Sequence, residues 1–460
     1  MAGAYVSVSD PTGSGAGYAV TDATGAFEIG DLAPGDYKVS FAADTMWQWW
    51  HQQRDEATAD LVTVVSEADT RLEEQTLPTG SLEVTVADSV TGQPIPGACV
   101  DAFPAGGGCS DSGVVTFTDV VVGTYQLSAS ADVLHFFGDG VATVTAGTTS
   151  AATVLLDPAA AISLRATDAA TGAAVSEVCV HAARVTSPGL PLYRSGDCTD
   201  GAGRVTVGRL RAGDYRILAV PGDARHGLQW VGEAGGTGIQ ERAATVHAPV
   251  GLVTDAPTAR LDPPGSIAGR VIDAATRAPV ADICTVPYAA SSGDGPGSGP
   301  QCSAADGRFV LSGLGPYRWP VEFVDFSGQY AWQWSGRAVH RQDARPIGVR
   351  AGRTSEANAA LSAGGRITGR FSGPDGQPQY GTAFAYNTVS GDFAAAYGPS
   401  DDTGEYAIQG LAAQQVIVEG RPAGPGPSVW YQDAADAAHA TPVTVPAGGT
   451  VAGIDLRLPG

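Results

Sequence analysis

The chain is nearly devoid of lysine: Lys38 is the only one in 460 residues, and basic side chains number 26 against 48 acidic ones. A phosphate-binding loop needs a lysine behind its glycines, and no such motif surrounds Lys38. A formal net charge of -22 repels phosphate backbones and anionic lipid, so nucleic acid and membrane surfaces are excluded as partners. No run of about 20 apolar residues exists to insert into a membrane, and no basic-then-apolar leader opens the chain. The seven histidines are scattered and none belongs to a His-Glu-x-x-His or His-x-x-Glu arrangement, so a zinc hydrolase site is missing. There is also no Gly-x-Ser-x-Gly elbow and no Gly-x-Gly-x-x-Gly loop. No catalytic residue, cofactor site or metal site is expected, and the chain does not read as an enzyme.

What is abundant is punctuation. With 62 Gly and 30 Pro beside 43% apolar residues, the composition is that of a turn-rich globular protein without long helices. One phrase recurs: "TDATGAFEIGDLAPGDYKVSF" (21–41), "SDSGVVTFTDVVVGTYQLSAS" (110–130), "TDGAGRVTVGRLRAGDYRILA" (199–219), "SAADGRFVLSGLGPYRWPVEF" (303–323) and a worn copy, "SDDTGEYAIQGLAAQQVIVEG" (400–420). Each opens on an Asp-x-x-Gly turn or a near variant. Alternating apolar positions follow, then in most copies Gly-x-Tyr and another strand, which is the pattern of a hairpin with one buried face. Asp22, Asp111, Asp200, Asp306 and Asp402 are read as turn residues, with calcium conceivable only around Asp401 and Asp402 because oxygens at alternating positions are otherwise missing.

Upstream, "GSLEVTVADSVTGQPIPGACV" (80–100) recurs at 161–180, 265–285 and 365–385 as two strands around an Asp/Gly turn. The first copy lacks this phrase, so the start reads as truncated and the chain as part of a longer one. Equivalent glycines at Gly35, Gly123, Gly213 and Gly315 stand 88, 90 and 102 residues apart. Short strands at this spacing predict an all-β fold, a tandem array of about five antiparallel β-sandwiches with the first truncated. The predicted boundaries are 1–79, 80–159, 160–264, 265–364 and 365–460. The Gly/Ser/Pro insertion at 290–301 is assigned to a hairpin tip.

These motifs, Asp-x-x-Gly-x-Phe, Leu-x-x-Gly-x-Tyr and the opening Gly-x-(Val/Ile)-x-x-x-Val-x-Asp, resemble those of carboxypeptidase regulatory-like and collagen-adhesin B-type repeats. The resemblance covers nearly the whole chain and implies a prealbumin-like (Ig-like) sandwich. It implies stalks, spacers, adhesive segments or accessory modules, and no particular activity. Repeats of the collagen-adhesin type often carry a Lys-to-Asn/Asp crosslink, which Lys38 alone cannot supply to four of the five repeats. It follows Tyr37 in "YKVSF" and so points away from the apolar face.

Six cysteines fall into pairs within the three middle repeats: Cys99 with Cys109, Cys179 with Cys198, and Cys284 with Cys302. The first of each pair lies on the second strand and its mate four or five residues before the hairpin glycine, so neighbouring antiparallel strands bring them together. Three intra-repeat disulfides are predicted, which implies an extracellular or cell-surface location.

Aromatics recur after the Gly-x-Tyr strand of every copy, from "MWQWWHQQ" (46–53) to "VWYQDAADAAHATPVTV" (429–445). One ring per repeat is expected to plug the sandwich end or the next junction. The extra rings, Trp47, Trp50, Trp332, Trp430 and Tyr431, are candidates for stacking on a polysaccharide or an extracellular protein, with Gln48, Gln333 and Gln432 donating hydrogen bonds nearby. The function predicted is a non-catalytic stalk, spacer or adhesive segment. The alternative is a carbohydrate-binding accessory region of a secreted glycoside hydrolase of the amylase type.

Overall fold

A computed structural model of the chain describes residues 1–43, 46–185, 193–289, 301–395, 397–424 and 426–458. Most of the insertion at 290–301 lies outside the described residues. Strands and three short 3-10 turns make up the regular structure described. The chain divides into two compact units, Met1–Ala159 and Ala160–Gly460.

Residues 79–156 show how the sequence pattern becomes a sandwich. The opening strand Thr79–Asp88 is the centre of one sheet, antiparallel to Val114–Val121 and parallel to the closing strand Thr149–Leu156. The second sheet runs in the order Gly138–Val144, Gly123–Ser130, Ala98–Phe103, Gly106–Ser110, all antiparallel. Period-two alternation sends Leu82, Val84 and Val86 from the first sheet against Val100, Ala102, Tyr125 and Leu127 from the second. Burying each large apolar side chain contributes roughly 1.5–3 kcal/mol.

The second unit repeats this plan three times, around opening strands Ala160–Asp168, Gly265–Asp273 and Gly365–Ser372. In each, the closing strand is split in two and again runs parallel to the opening one. In the fourth and fifth repeats the main chain at the split comes so close that a Cβ on Gly269 or Gly369 would lie 1.5 or 1.9 Å from the carbonyl oxygen of Ala357 or Ile454, whereas the third repeat carries Leu164 at this register position. The fold is thus an all-β tandem array of sandwiches, with parallel pairing at each closing strand where the sequence pattern had suggested antiparallel strands throughout.

The repeated tyrosine has a definite job. The hydroxyls of Tyr37, Tyr125 and Tyr215 donate to the carbonyls of Ala33, Val121 and Arg211, each four residues upstream. In the fourth repeat that role belongs to Trp319, whose indole N–H donates to the Gly315 carbonyl at 2.9 Å. Tyr317, aligned with the others by sequence, is two residues out of register.

The first repeat contains one five-stranded sheet, with Gly15–Val20, Tyr5–Ser9, Gly35–Ala43 and Met46–Trp49 in order and Val62–Val64 also on Gly35–Ala43. Its inner face is Val6, Val8, Tyr37, Val39 and Phe41, against which Phe27, Ile29, Leu32 and Leu72 pack.

Candidate functional surfaces

The disulfides join Cys99–Cys109, Cys179–Cys198 and Cys284–Cys302. Their Cα atoms are 4.0, 3.9 and 3.8 Å apart, because the partners stand directly opposite one another in register. The same register position in the first repeat is held by Tyr5 and Val20, and in the fifth by Thr382 and Pro399.

The Asp turns are self-satisfied. Asp22 accepts from the Thr24 hydroxyl and from the N–H groups of Thr24 and Ala26. In the fifth repeat this residue is Asp401, which accepts from Thr403 and Glu405, whereas Asp402 accepts from the Tyr380 hydroxyl. In the second repeat it is Ser110 and not Asp111 that holds the position. Donors from the Thr24 and Thr403 hydroxyls hold the Asp22 and Asp401 carboxyls below the usual range.

A second set of carboxylates rivets the aromatic segment of each middle repeat to the turn that follows its opening strand. His135 lies between Asp132 (2.8 Å) and Asp88 (3.3 Å), and His226 between Asp223 (2.9 Å) and Asp168 (3.2 Å). In the fourth repeat the Tyr330 hydroxyl donates to Asp273 at 3.1 Å. Hydrogen bonds from Thr171, then from His226, lower the Asp168 carboxyl to about 2. These contacts hold the aromatic segment against the turn.

Of the stacking candidates, two are overturned. Trp332 is 4% exposed and its indole donates to the Asp325 carbonyl. Trp430 is 6% exposed among Phe384, Tyr386 and Ala440. Trp332 is withdrawn from solvent at the junction with the fifth repeat, beside Gly410 and Phe326, and Trp430 by the aromatic cluster around it. Trp50 and Tyr431 are half-buried, the former against the core of the first repeat and the latter against that of the fifth. Gln48 is fully buried and committed to Glu74, Gln75 and Leu77, and Gln432 accepts from Thr441. Trp47 is 56% exposed.

Trp47 does not stand alone. Register places Val20, Tyr5, Ala42 and Trp47 in one cross-strand row and Tyr18, Ser7, Ser40 and Trp49 in the next, all on the outer sheet face. Tyr5 and Tyr18 stack with centroids 5.4 Å apart, and the face forms a shallow depression of about 510 Å³ that glycines 13, 15 and 17 help to line. Tyr5 and Tyr18 were not singled out from the sequence, although the alternation in "YVSVS" does put Tyr5 opposite the valines.

In the second unit the aromatic segments build the junctions between repeats. The Leu228 N–H donates to the Gly313 carbonyl, and the equivalent Trp332 N–H donates to the Gly410 carbonyl. Tyr317 donates to Asp262 and Gln229, and burial followed by Asp262 pushes its phenol upward. Arg341 then ties three repeats together: it is bonded to Glu241 of the third and, at 2.9 Å, to Asp392 of the fifth. Arg341 and Asp392 are 7% and 3% exposed at their side chains.

No family model matches the chain, and no curated protein does. Solved structures to which it is similar include the Bacillus anthracis TIE protein (12% identity, TM-score 0.18, 78% of this chain and 68% of that one). Another is the minor pilin of Streptococcus agalactiae (13% identity, TM-score 0.21, 44% and 95%). A third is the major pilin subunit of Bacillus cereus (11% identity, TM-score 0.16, 65% and 98%).

Proposed function

We propose that the chain is a non-catalytic extracellular spacer of the carboxypeptidase regulatory-like or collagen-adhesin B type, holding its attachments apart at fixed separation. The observation that carries this is the Glu241–Arg341–Asp392 network, buried at Arg341 and Asp392 and exposed at Glu241, which links the third, fourth and fifth repeats. Three disulfides support an oxidising location outside the cell. Spin labels introduced by non-canonical residues at Val250 and Val389, both exposed, test it by dipolar distance measurement. The spacer reading expects one narrow distribution in the native protein and a broad one in Arg341→Ala; a broad distribution in the native protein would sink it. Removing one partner of a buried ion pair costs roughly 3–5 kcal/mol, enough to open the junction.

An adhesive role is favoured by one surface, where exposed Tyr5, Tyr18 and Trp47 stand beside half-buried Trp49 and offer rings that suit a polysaccharide or an extracellular protein. Iodide quenching of tryptophan emission during titration with soluble polysaccharide tests this. Saturable protection from iodide is expected, and its absence would remove the polysaccharide from consideration.

A further inference from the structure

The outer sheet face that carries Trp47 is used differently from repeat to repeat. Cross-strand partners fix the equivalences: Ser40 faces Trp49, Leu218 faces Trp230, Glu322 faces Trp334 and Glu419 faces Trp430. In the last three pairs both members are buried, and Leu228 and Trp332, the counterparts of Trp47, are engaged at the junctions with the next repeat. In the first repeat Trp47 faces solvent and Trp49 is half-buried. An opening strand does not cover this face, because the complete second repeat leaves Asp101, Gln126 and Ser128 exposed at the corresponding positions.

The face of the first repeat has walls and a floor. Tyr5 and Tyr18 stand on adjacent strands at one side, Trp47 and Trp49 on the strand Met46–Trp49 at the other, with Ser7, Ser40 and Ala42 between them. One strand, contributing Ala42, separates Tyr5 from Trp47, so their backbones are roughly 9–10 Å apart and leave room for a single six-membered ring between two aromatic ones. The floor is polar without net charge. The hydroxyls of Ser7 and buried Ser40 lie 2.9 Å apart, and such a pair keeps one proton and several lone pairs for a third partner. Glu56 is the one charged side chain among the described residues lining the depression, and Lys38 stands 3.6 Å from it.

Building on the adhesive reading above, we propose that this groove binds an uncharged polysaccharide in extended form, with a sugar ring between Tyr5 and Trp47 and a sugar hydroxyl on the Ser7–Ser40 pair. A pyranose presents C–H groups on its faces and hydroxyls at its rim, which matches aromatic walls above a hydroxyl floor. An anionic polymer is opposed by the net charge of -22, and a cationic one finds Glu56 already paired with Lys38. The walls follow neighbouring strands, so the occupant runs straight and not coiled.

The probe is cellohexaose, titrated calorimetrically into the full chain beside two charged hexamers, fully protonated chitosan and galacturonate. Saturable binding of cellohexaose is expected, indifferent to salt and at least several-fold tighter than that of either charged hexamer. Trp47→Ala and Tyr5→Ala, both at exposed positions, should each weaken it at least roughly tenfold, as loss of a central ring does. Trp47→Phe, which keeps a ring, should retain most of the affinity. Equal or tighter binding of a charged hexamer, or an affinity that falls with salt, overturns the proposal while leaving the surface adhesive. Unchanged affinity in both alanine variants overturns it by placing the sugar elsewhere. Lack of saturable binding by all three hexamers overturns it together with the polysaccharide half of the adhesive reading, and an extracellular protein is then the remaining partner.

Discussion

Aspartates at turns carry much of the local order. Asp168 accepts from the Thr171 N–H at 2.7 Å, the Thr171 hydroxyl at 2.8 Å and the Ala170 N–H at 3.0 Å, and its carboxyl is lowered to about 2. A depressed folded-state value means that the unfolded chain binds the proton more readily. The stability Asp168 contributes is therefore complete above about pH 4 and lost as pH falls toward 2. Asp22, Asp88, Asp273 and Asp401 are shifted in the same direction, each by neighbouring Thr donors first. Urea midpoints measured from pH 5 to pH 2 should fall steadily in the native protein and less steeply in Asp168→Asn. Identical slopes would show that the turn makes no difference to stability. These Asp turns were legible in the sequence because their chemistry spans only two to four residues. Arg341 was not, since nothing in "HRQDAR" announces partners 100 residues upstream and 51 downstream.

The junction elements depend on close approach of main chains. Gly238, just before the 3-10 turn Gln240–Arg242, lies so near the fourth repeat that a Cβ there would sit 2.5 Å from the Arg318 carbonyl and 2.7 Å from the Trp319 ring. Neither neighbour can yield: one is backbone and the other is a fully buried indole. Gly238→Ala should loosen the junction between the third and fourth repeats while leaving each sandwich folded. Limited proteolysis near 236–244 should accelerate severalfold, as expected when about 1–3 kcal/mol of overpacking opposes closure. Unchanged cleavage would show that the junction tolerates the methyl group. At this scale sequence comparison misplaced Tyr317, because a two-residue offset after Gly315 gives its position to Trp319. Local pattern ranks Gly-x-Tyr above Trp, whereas the i−4 carbonyl contact accepts either ring.

Across the whole molecule the disulfides are confined to the middle three repeats, so reduction should act unevenly. Each closes a short loop, with sequence separations of 10, 19 and 18 residues. Losing one should cost about 2–4 kcal/mol. Under reductant, hydrogen exchange should quicken in strands Ala98–Phe103 and Cys284–Val286, while strand Gly381–Asn387, which has no cysteine, keeps its protection. Uniform acceleration would mean that the repeats unfold as one cooperative body. The sequence by itself determined the all-β class and the pairing of the cysteines, because period-two alternation and turn chemistry act over a few residues and are restated in every copy. Tertiary structure alone decided which tryptophans meet solvent. Trp332 carries the same Trp-Gln-Trp signature as Trp47, yet the fifth repeat covers it while Trp47 stays exposed, and burial is set by chain segments far away in sequence.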